Sequence, residues 1–130
     1  VAASEVFKVE TWVGVSVYVR YLFGYGSGQD VINNYEGDYA TTDDRVVFGE
    51  GVSVDNLLLQ QSGNNLIITL TDSNDRLTIN NWYYSSDGRY HIDAFEFSDG
   101  SVKNYTDLVA ANRFIPASYT HLTLPTKRKA

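Results

Sequence analysis

The glycine-rich stretch at residues 21–32 constrains the fold more than any other part of this chain. A short apolar run, Tyr-Leu-Phe at 21–23, is followed by glycines at positions 24, 26 and 28, then by Asp30 and a β-branched pair. Glycine adopts positive φ angles without steric cost, so alternating glycines let the backbone turn sharply and direct its carbonyl oxygens toward one point. The order strand, glycine turn, aspartate, strand is typical of a repeated β-structure.

The same spacing predicts a cation site. Residues 25–33 match the nonapeptide G-G-x-G-x-D-x-U-x of calcium-binding β-rolls at Gly26, Gly28, Asp30 and Ile32, with Tyr25 in place of the first glycine. Calcium takes several carbonyl and carboxylate oxygens at about 2.3–2.6 Å. We therefore predict that Gly26, Gly28 and Asp30 contribute to a calcium site.

An acidic segment follows this turn. Residues 33–44 are polar and without periodicity, which is typical of a surface loop, and they contain four carboxylates: Glu36, Asp38, Asp43 and Asp44. Asp43 and Asp44 are candidates to complete the calcium site. The alternative is an acidic loop that is merely solvated.

From Tyr21 to about Val102 the sequence resembles the haemolysin-type calcium-binding protein related domain, a module that often follows β-roll repeats in RTX proteins of Gram-negative bacteria. The likeness is carried, in the family's order, by residues 21–32, 44–52, 65–70, 77–82 and 95–102. The resemblance implies a secreted, calcium-associated accessory module, often exported by a type I machinery, that adjoins the RTX repeats of a longer parent protein and is not an enzyme.

The sequence departs from the family in its first segment. Members usually carry several nonapeptide turns before this point, whereas residues 1–20 contain none. A β-roll ion is held between successive turns, so a single turn supplies about half of a coordination shell. We therefore expect calcium binding by the isolated chain to be weak.

The predicted fold is mainly β: a short β-roll-like turn leads into an antiparallel β meander or sandwich, with one short C-terminal helix. Residues 7–13 and 15–21 alternate and predict strands on either side of Gly14. Three runs at 57–61, 65–71 and 76–82, joined by short turns, predict an antiparallel meander. Residues 90–97 predict a last long strand with a bulge near Ala94, and Thr106 is the predicted cap of a helix at 106–113.

A pattern of Phe, small residue, any residue and Gly recurs at residues 23–26, 48–51 and 97–100, each time after a short apolar strand. The first two copies are separated by a distance within the range of solenoid repeats. Asp-x-apolar also recurs, at residues 30–32, 44–46 and 75–77. These repeats suggest stacked coils, although chance in a chain rich in glycine and aspartate is an alternative.

The chain length predicts a single β domain at residues 1–114. Within it we expect strands at 1–20, the RTX-related module at 21–105 and the helix at 106–113. Residues 115–130 lack periodicity and end in a basic cluster foreign to the acidic body, so we expect a non-native or disordered tail.

Charge and composition exclude several functions. The net charge is −6, and residues 1–116 carry 7 basic against 16 acidic groups, a net of −9, which argues against nucleic acid or an anionic membrane as partner. No apolar run is long enough for a transmembrane helix. With no cysteine and two histidines, a Cys nucleophile or a multi-histidine metal site is excluded, and no motif marks a catalytic pair.

Two further functions stay open. Trp82, Tyr84 and Tyr90 form the most aromatic patch of the sequence and could stack on a glycan, making the chain a carbohydrate-binding β domain. The alternative for this patch is ordinary packing across strands. The chain could also be a purely structural cap that shields the open edge of a β-roll without binding calcium.

Overall fold

The computed structural model describes residues 7–13, 16–34, 43–84, 91–112 and 114–116. The strands are β1 (Phe7–Val13), β2 (Ser16–Phe23), β3 (Gln29–Ile32), β4 (Arg45–Phe48), β5 (Leu57–Ser62), β6 (Asn65–Leu70), β7 (Arg76–Ile79), β8 (Ala94–Glu96), β9 (Val102–Lys103) and β10 (Phe114–Ile115). A 3₁₀ turn spans Val54–Asn56, and the helix α1 spans Tyr105–Ala111. The prediction of a mainly β chain with one short helix is confirmed.

The strands form two five-stranded sheets. The first has the order β1-β2-β4-β8-β9, and the second has the order β10-β5-β6-β7-β3. The predicted meander of β5, β6 and β7 is confirmed as antiparallel, whereas β2, β4 and β8 run parallel to one another, as do β3 and β7. Both sheets are therefore mixed, since each combines parallel strand pairs with the antiparallel pairs of short hairpins.

The repeated Phe-x-x-Gly pattern corresponds to stacked coils. Phe23 and Phe48 are register partners at the ends of β2 and β4, and the ring of Phe97 stacks on that of Phe48 at 5.0 Å. Each phenylalanine is buried, so the three form a continuous ladder in the core. The internal repeat therefore reflects structure rather than chance.

The glycine turns stack above this ladder. A side chain at Gly24 would place its Cβ 3.2 Å from Gly49 Cα, so the first two turns pack backbone against backbone. Gly26, Gly51 and Gly100, the fourth positions of the three copies, have φ angles of 92°, 89° and 91°. This left-handed region favours glycine, which explains why glycine recurs at that position.

The core lies between the two sheets. Apolar residues alternate along β6 and β7, so one face of each strand is buried. The register of this pair places Leu66 opposite Ile79 and Ile68 opposite Leu77. The side chains with under 2 % exposure are Phe23, Phe48, Phe95, Ile32, Leu59, Leu66, Ile68, Leu70, Leu77, Ile79, Leu108 and Val46.

Two predicted elements differ in extent. The strand predicted at 90–97 corresponds to β8, which covers Ala94–Glu96. The amides of Asp93 and Ala94 both face the Asp44 carbonyl, at 2.9 and 3.3 Å, and interrupt the regular hydrogen bonding of the strand there. Residues 85–90 lie outside the described residues. The irregularity lies where the sequence predicts a bulge.

The helix begins one residue earlier than predicted and has a different cap. Asn104 is the N-cap: its side chain accepts the amide of Asp107 at 2.8 Å, while the Asp107 carboxylate accepts the amide of Asn104 at 3.1 Å. The prediction of Thr106 as cap is wrong, because Thr106 already lies inside the helix. Arg113, the predicted C-terminal charge, lies outside the described residues.

Strands on both sides of Gly14 are confirmed, and Gly14 itself lies outside the described residues. Near the other end, Phe114 and Ile115 pair in parallel with Leu59 and Gln60 of β5. Paired structure therefore reaches the predicted domain boundary at 114 and passes it by one residue. No helix among the described residues is long and apolar enough to cross a membrane.

Candidate functional site

The first glycine turn closes on itself. The Ser27 amide donates to the Gly24 carbonyl at 3.0 Å, and the Ser27 hydroxyl accepts the Gly24 amide at 2.9 Å. Positive φ angles at Gly26 and Gly28 turn the backbone between β2 and β3. The glycines that the sequence singles out are thus required by the turn itself, whatever else they bind.

A carboxylate from a distant part of the chain, Asp75 in the connection just before β7, lies in this turn. The amides of Gly26 and Gly28 donate to the two carboxylate oxygens of Asp75, at 3.0 and 2.8 Å. Backbone amides that converge on one point form an anion-binding nest, and Asp75 fills it. The hydrogen bond from Gly26 lowers the pKa of Asp75, with further lowering by Gly28 and Ser73, against the opposing effect of burial.

Asp30 lies beside this nest in a different environment. Its side chain is 5 % exposed, on the same face of β3 as the core residue Ile32, and within the described part of the chain its Oδ1 atom has no hydrogen-bond partner. Burial, reinforced by the charge of Asp75, raises the pKa of Asp30. Two carboxylates therefore meet at the turn, one stabilised as an anion and one buried with an unpaired oxygen.

These residues fit a calcium ion in part. The turn directs amides, not carbonyls, at its centre, and the Gly28 carbonyl accepts the Arg76 amide at 2.9 Å as part of the sheet. Among the described residues no group of three or more acidic or histidine side chains is placed to hold a metal. Asp30 and Asp75 can offer carboxylate oxygens, but a full shell of six to eight ligands needs oxygens from elsewhere.

Asp43 and Asp44 are not brought to the glycine turn. Asp44 contacts Asn34, which follows the far end of β3, so the two aspartates lie roughly 10 Å or more along that strand from Asp30. Asp43 forms ion pairs with Arg20 at 3.6 Å and Arg45 at 3.0 Å. The structure thus divides the five predicted ligands between the two ends of β3.

Asp44 belongs to a buried polar network. Its carboxylate accepts the Asn34 side-chain amide at 3.2 Å, and Asn34 Oδ1 accepts the Tyr21 hydroxyl at 2.6 Å. The Asp44 amide donates to the Asp93 carboxylate at 2.8 Å. Burial raises the pKa of Asp93, and the charges of Asp44 and Asp43 add to this effect. The network fastens the end of β3 to the start of β4.

The aromatic patch is largely internal. Trp82 is 3 % exposed and stacks on His91 at 4.2 Å, with Tyr105 at 5.2 Å. Tyr84 is 64 % exposed, and Tyr90 lies outside the described residues. Trp82 therefore offers no free face to a sugar ring, and of the three predicted platform residues only Tyr84 is exposed in the described part of the chain.

Sequence reasoning missed Asp75 as a site residue. The signal was present, because Asp30-Val31-Ile32 and Asp75-Arg76-Leu77 share the Asp-x-apolar pattern. In the structure β3 and β7 are parallel neighbours, with Asp30 opposite Leu77. The repeated pattern therefore marks the starts of two adjacent parallel strands, where Gln29 pairs with Arg76.

Replacing Asp30 with asparagine is expected to raise the free energy of unfolding at pH 7 without calcium. A raised folded-state pKa means that the Asp30 charge destabilises the folded chain at neutral pH, and that this penalty disappears as pH falls through the raised pKa toward the ordinary value of 3.8. Urea unfolding of both chains across this range should show the difference shrinking with falling pH. A variant less stable than the parent at pH 7 would contradict this account.

Part of the chain matches a known protein family. The haemolysin-type calcium binding protein related domain matches residues 65–107. The resemblance read from the sequence is thus confirmed for a segment that contains β6 to β9 and Asp75. The glycine turn at 24–28 lies outside the match.

A second similarity is longer. The chain is 37 % identical over 84 residues to the iron-regulated protein FrpA of Neisseria meningitidis serogroup C. The aligned part covers 63 % of this chain but 7 % of FrpA. What this chain shares with FrpA is therefore a small part of a much longer polypeptide.

Proposed function

We propose that this chain is a calcium-associated structural module of a secreted RTX-type protein, which caps or extends a calcium-binding β-roll. The observation that carries the proposal is the stack of coils, in which β2, β4 and β8 run parallel and the glycine turns of the first two coils touch at Gly24 and Gly49. This is the geometry by which one coil of a roll adds to the next. The match to a calcium-binding related domain supports the same assignment.

The stack can be extended at β3. This strand ends its sheet, and in the part of the chain that the structure describes β7 alone pairs with it. The carbonyls of Gly28 and Ile32 accept amides from the β7 side, so Gln29 and Val31 direct their backbone groups outward. A neighbouring coil of the parent protein would add here, while β1 already covers the corresponding edge of β2.

Calcium would act at the same place. Asp30 supplies a buried carboxylate oxygen that lacks a donor, and Asp75 lies beside it. A neighbouring coil would bring the remaining oxygens, since a roll ion lies between two turns. We therefore propose weak binding by the isolated chain and stronger binding in the parent protein. The proposal includes no catalytic role.

A second candidate is a cap that does not use calcium. It is favoured by one observation: Asp75 already fills the amide nest of Gly26 and Gly28 from within the chain. An internal carboxylate can tie the turn to β7 without any ion. The two candidates differ in their response to calcium.

Calcium at 10 mM is expected to raise the melting temperature by a few degrees relative to EGTA. A dissociation constant of about 1 mM, typical of weak extracellular calcium modules, corresponds to about 1.4 kcal/mol of stabilisation at this concentration. Magnesium is the control ion, since it demands smaller octahedral sites.

The matched variant is Asp30→Asn, which keeps the side-chain shape and removes the charge. A rise in melting temperature that occurs with calcium but not with magnesium, and that disappears in Asp30→Asn, supports the calcium module. Identical melting curves in calcium and EGTA would reject calcium binding and leave the metal-independent cap.

A further inference from the structure

A second buried carboxylate lies beyond the end of β3 that is far from the glycine turn. Asp44 is 2 % exposed, and its carboxylate accepts the Asn34 side-chain amide at 3.2 Å through Oδ2. In the described part of the chain its Oδ1 atom has no hydrogen-bond partner. Buried charges are normally paired or bound to a metal, because their desolvation is costly, so this oxygen needs an explanation.

Asp93 places a second carboxylate beside Asp44. The two residues directly precede β4 and β8, which are parallel neighbours with Arg45 opposite Ala94. The Asp93 carboxylate accepts the Asp44 amide at 2.8 Å, and the Asp44 carbonyl accepts the Asp93 amide at 2.9 Å. Two carboxylates are thus fixed side by side where two paired strands begin. We call Asp44 and Asp93 the aspartate pair.

The charge of the aspartate pair is not balanced by a side chain. Among the described residues, no lysine or arginine forms an ion pair with either aspartate. Arg20 and Arg45 both pair with Asp43, and Arg45 also pairs with Glu96. Two arginines are therefore matched by two other carboxylates, and the negative charge of the aspartate pair stays in excess.

A backbone oxygen lies near the aspartate pair. The side-chain amide of Asn34 donates both to Asp44 Oδ2 and to the His91 carbonyl, at 3.2 and 3.1 Å, so this carbonyl is close to the carboxylate. Asn34 is itself held in place, because its Oδ1 atom accepts the Tyr21 hydroxyl at 2.6 Å. Carboxylate and carbonyl oxygens together are the ligands that calcium prefers.

The arrangement parallels that of the glycine turn. There, too, Asp75 accepts backbone amides and Asp30 is buried beside it with an unpartnered oxygen, at the start of two parallel strands. The local sequence is different, because neither member of the aspartate pair has glycine two and four positions earlier, as the nonapeptide requires. The position is also different: β3 ends its sheet, whereas β4 and β8 lie inside theirs.

We propose that the aspartate pair binds a divalent cation with calcium's preference for oxygen, at a site separate from the glycine turn. Asp44 Oδ1 is the direct ligand, Asp93 supplies the second charge, and Asn34 positions Asp44. Two carboxylates and a carbonyl do not fill a shell of six to eight oxygens, so water supplies the rest. Because β4 and β8 lie inside their sheet, this site needs no neighbouring coil. It goes beyond the proposed function, whose calcium site uses Asp30 and Asp75.

Terbium luminescence on the full chain tests the site. Terbium replaces calcium at oxygen sites and emits light when a nearby tryptophan is excited. Trp82 is such a neighbour, because its ring stacks on His91 at 4.2 Å and it follows the end of β7 that is far from the glycine turn. We expect emission that calcium displaces, and a loss of terbium affinity of about tenfold or more in Asp44→Asn.

Two further variants accompany Asp44→Asn. Asp93→Asn removes the second carboxylate and should also weaken terbium binding. Asp99→Asn removes an exposed aspartate of the turn between β8 and β9 and should leave the terbium affinity unchanged. Far-UV circular dichroism shows whether each variant is folded.

Asp30→Asn separates this site from the glycine turn. It should leave the terbium emission unchanged and remove only part of the rise in melting temperature with calcium, while Asp44→Asn removes the rest. A rise that disappears entirely in Asp30→Asn, or equal terbium affinity in the parent and Asp44→Asn, would overturn the inference and leave the proposed function intact. A rise lost in Asp44→Asn alone would support this site and reject calcium at the glycine turn. Absence of terbium emission in the parent would show that no cation binds the aspartate pair.

Discussion

Replacing Asp75 with alanine is expected to lower the free energy of unfolding by about 2 to 4 kcal/mol, because two amides lose a charged acceptor. Gly26 and Gly28 donate to this carboxylate at 3.0 and 2.8 Å, and alanine leaves both amides without it at a turn that joins the two sheets. The melting temperature should fall by about 10 °C. Thermal and urea unfolding at pH 7 measure the effect.

The matched control is Asn74→Ala, an exposed residue of the same β6 to β7 turn, which should change stability by under about 0.5 kcal/mol. The Asp75 effect should also depend on pH. Its lowered pKa means that the stabilisation is present above the ordinary value of 3.8 and is lost as pH falls through the lowered value. Equal stabilities for the two variants at pH 7 would show that the nest does not hold the turn.

The Asp75 nest shows which features of the glycine turn can be predicted from local sequence and which cannot. Positive φ angles at Gly26 and Gly28 follow from local sequence, and the structure has them. Which ligand the turn amides bind depends on the residue that lies opposite them, and that residue, Asp75, directly precedes β7, far along the chain. A motif fixes the turn, but the neighbouring strand decides whether an anion or a cation suits it.

The separation of Asp43 and Asp44 from Asp30 shows a similar limit of prediction from sequence. Asp43 and Asp44 are close to Asp30 in sequence, yet β3 runs away from the glycine turn between Asp30 and Asn34. Asp44 consequently meets Asn34, at the far end of that strand. Sequence separation is a poor guide to distance when a strand lies between two residues, because each residue of strand adds about 3.3 Å.

The meander was predictable because its signals are local. Alternation of apolar residues along β6 and β7 fixes which face is buried, and a short turn fixes the antiparallel register. Parallel pairing of β2 with β4 is different, because the two strands are separated by a long connection. The Phe-x-x-Gly repeat was the one sequence signal of that pairing, and the contact between Gly24 and Gly49 is its structural basis.

The Asp75 carboxylate has in this fold the mechanical task that a calcium ion has in a β-roll. In a roll, an ion between turns ties one coil to the next. Here the Asp75 carboxylate ties the first turn to β7, and the unpaired oxygen of Asp30 stays beside it. The Asp75 tie is therefore internal to the chain, whereas the Asp30 carboxylate is buried beside it with one oxygen that no described donor satisfies.

Replacing Phe48 with alanine is expected to cost about 3 to 5 kcal/mol, the range for removing a fully buried aromatic ring. Phe48 is 1 % exposed, pairs in register with Phe23 and stacks on Phe97 at 5.0 Å, so it links the three coils. Val47→Ala, on the other face of β4, should cost under about 1 kcal/mol. Hydrogen exchange should show protection lost together in β2, β4 and β8, because a module that supports a neighbouring coil must respond as one unit. Loss confined to β4 would show that the coils are independent and would argue against a structural cap.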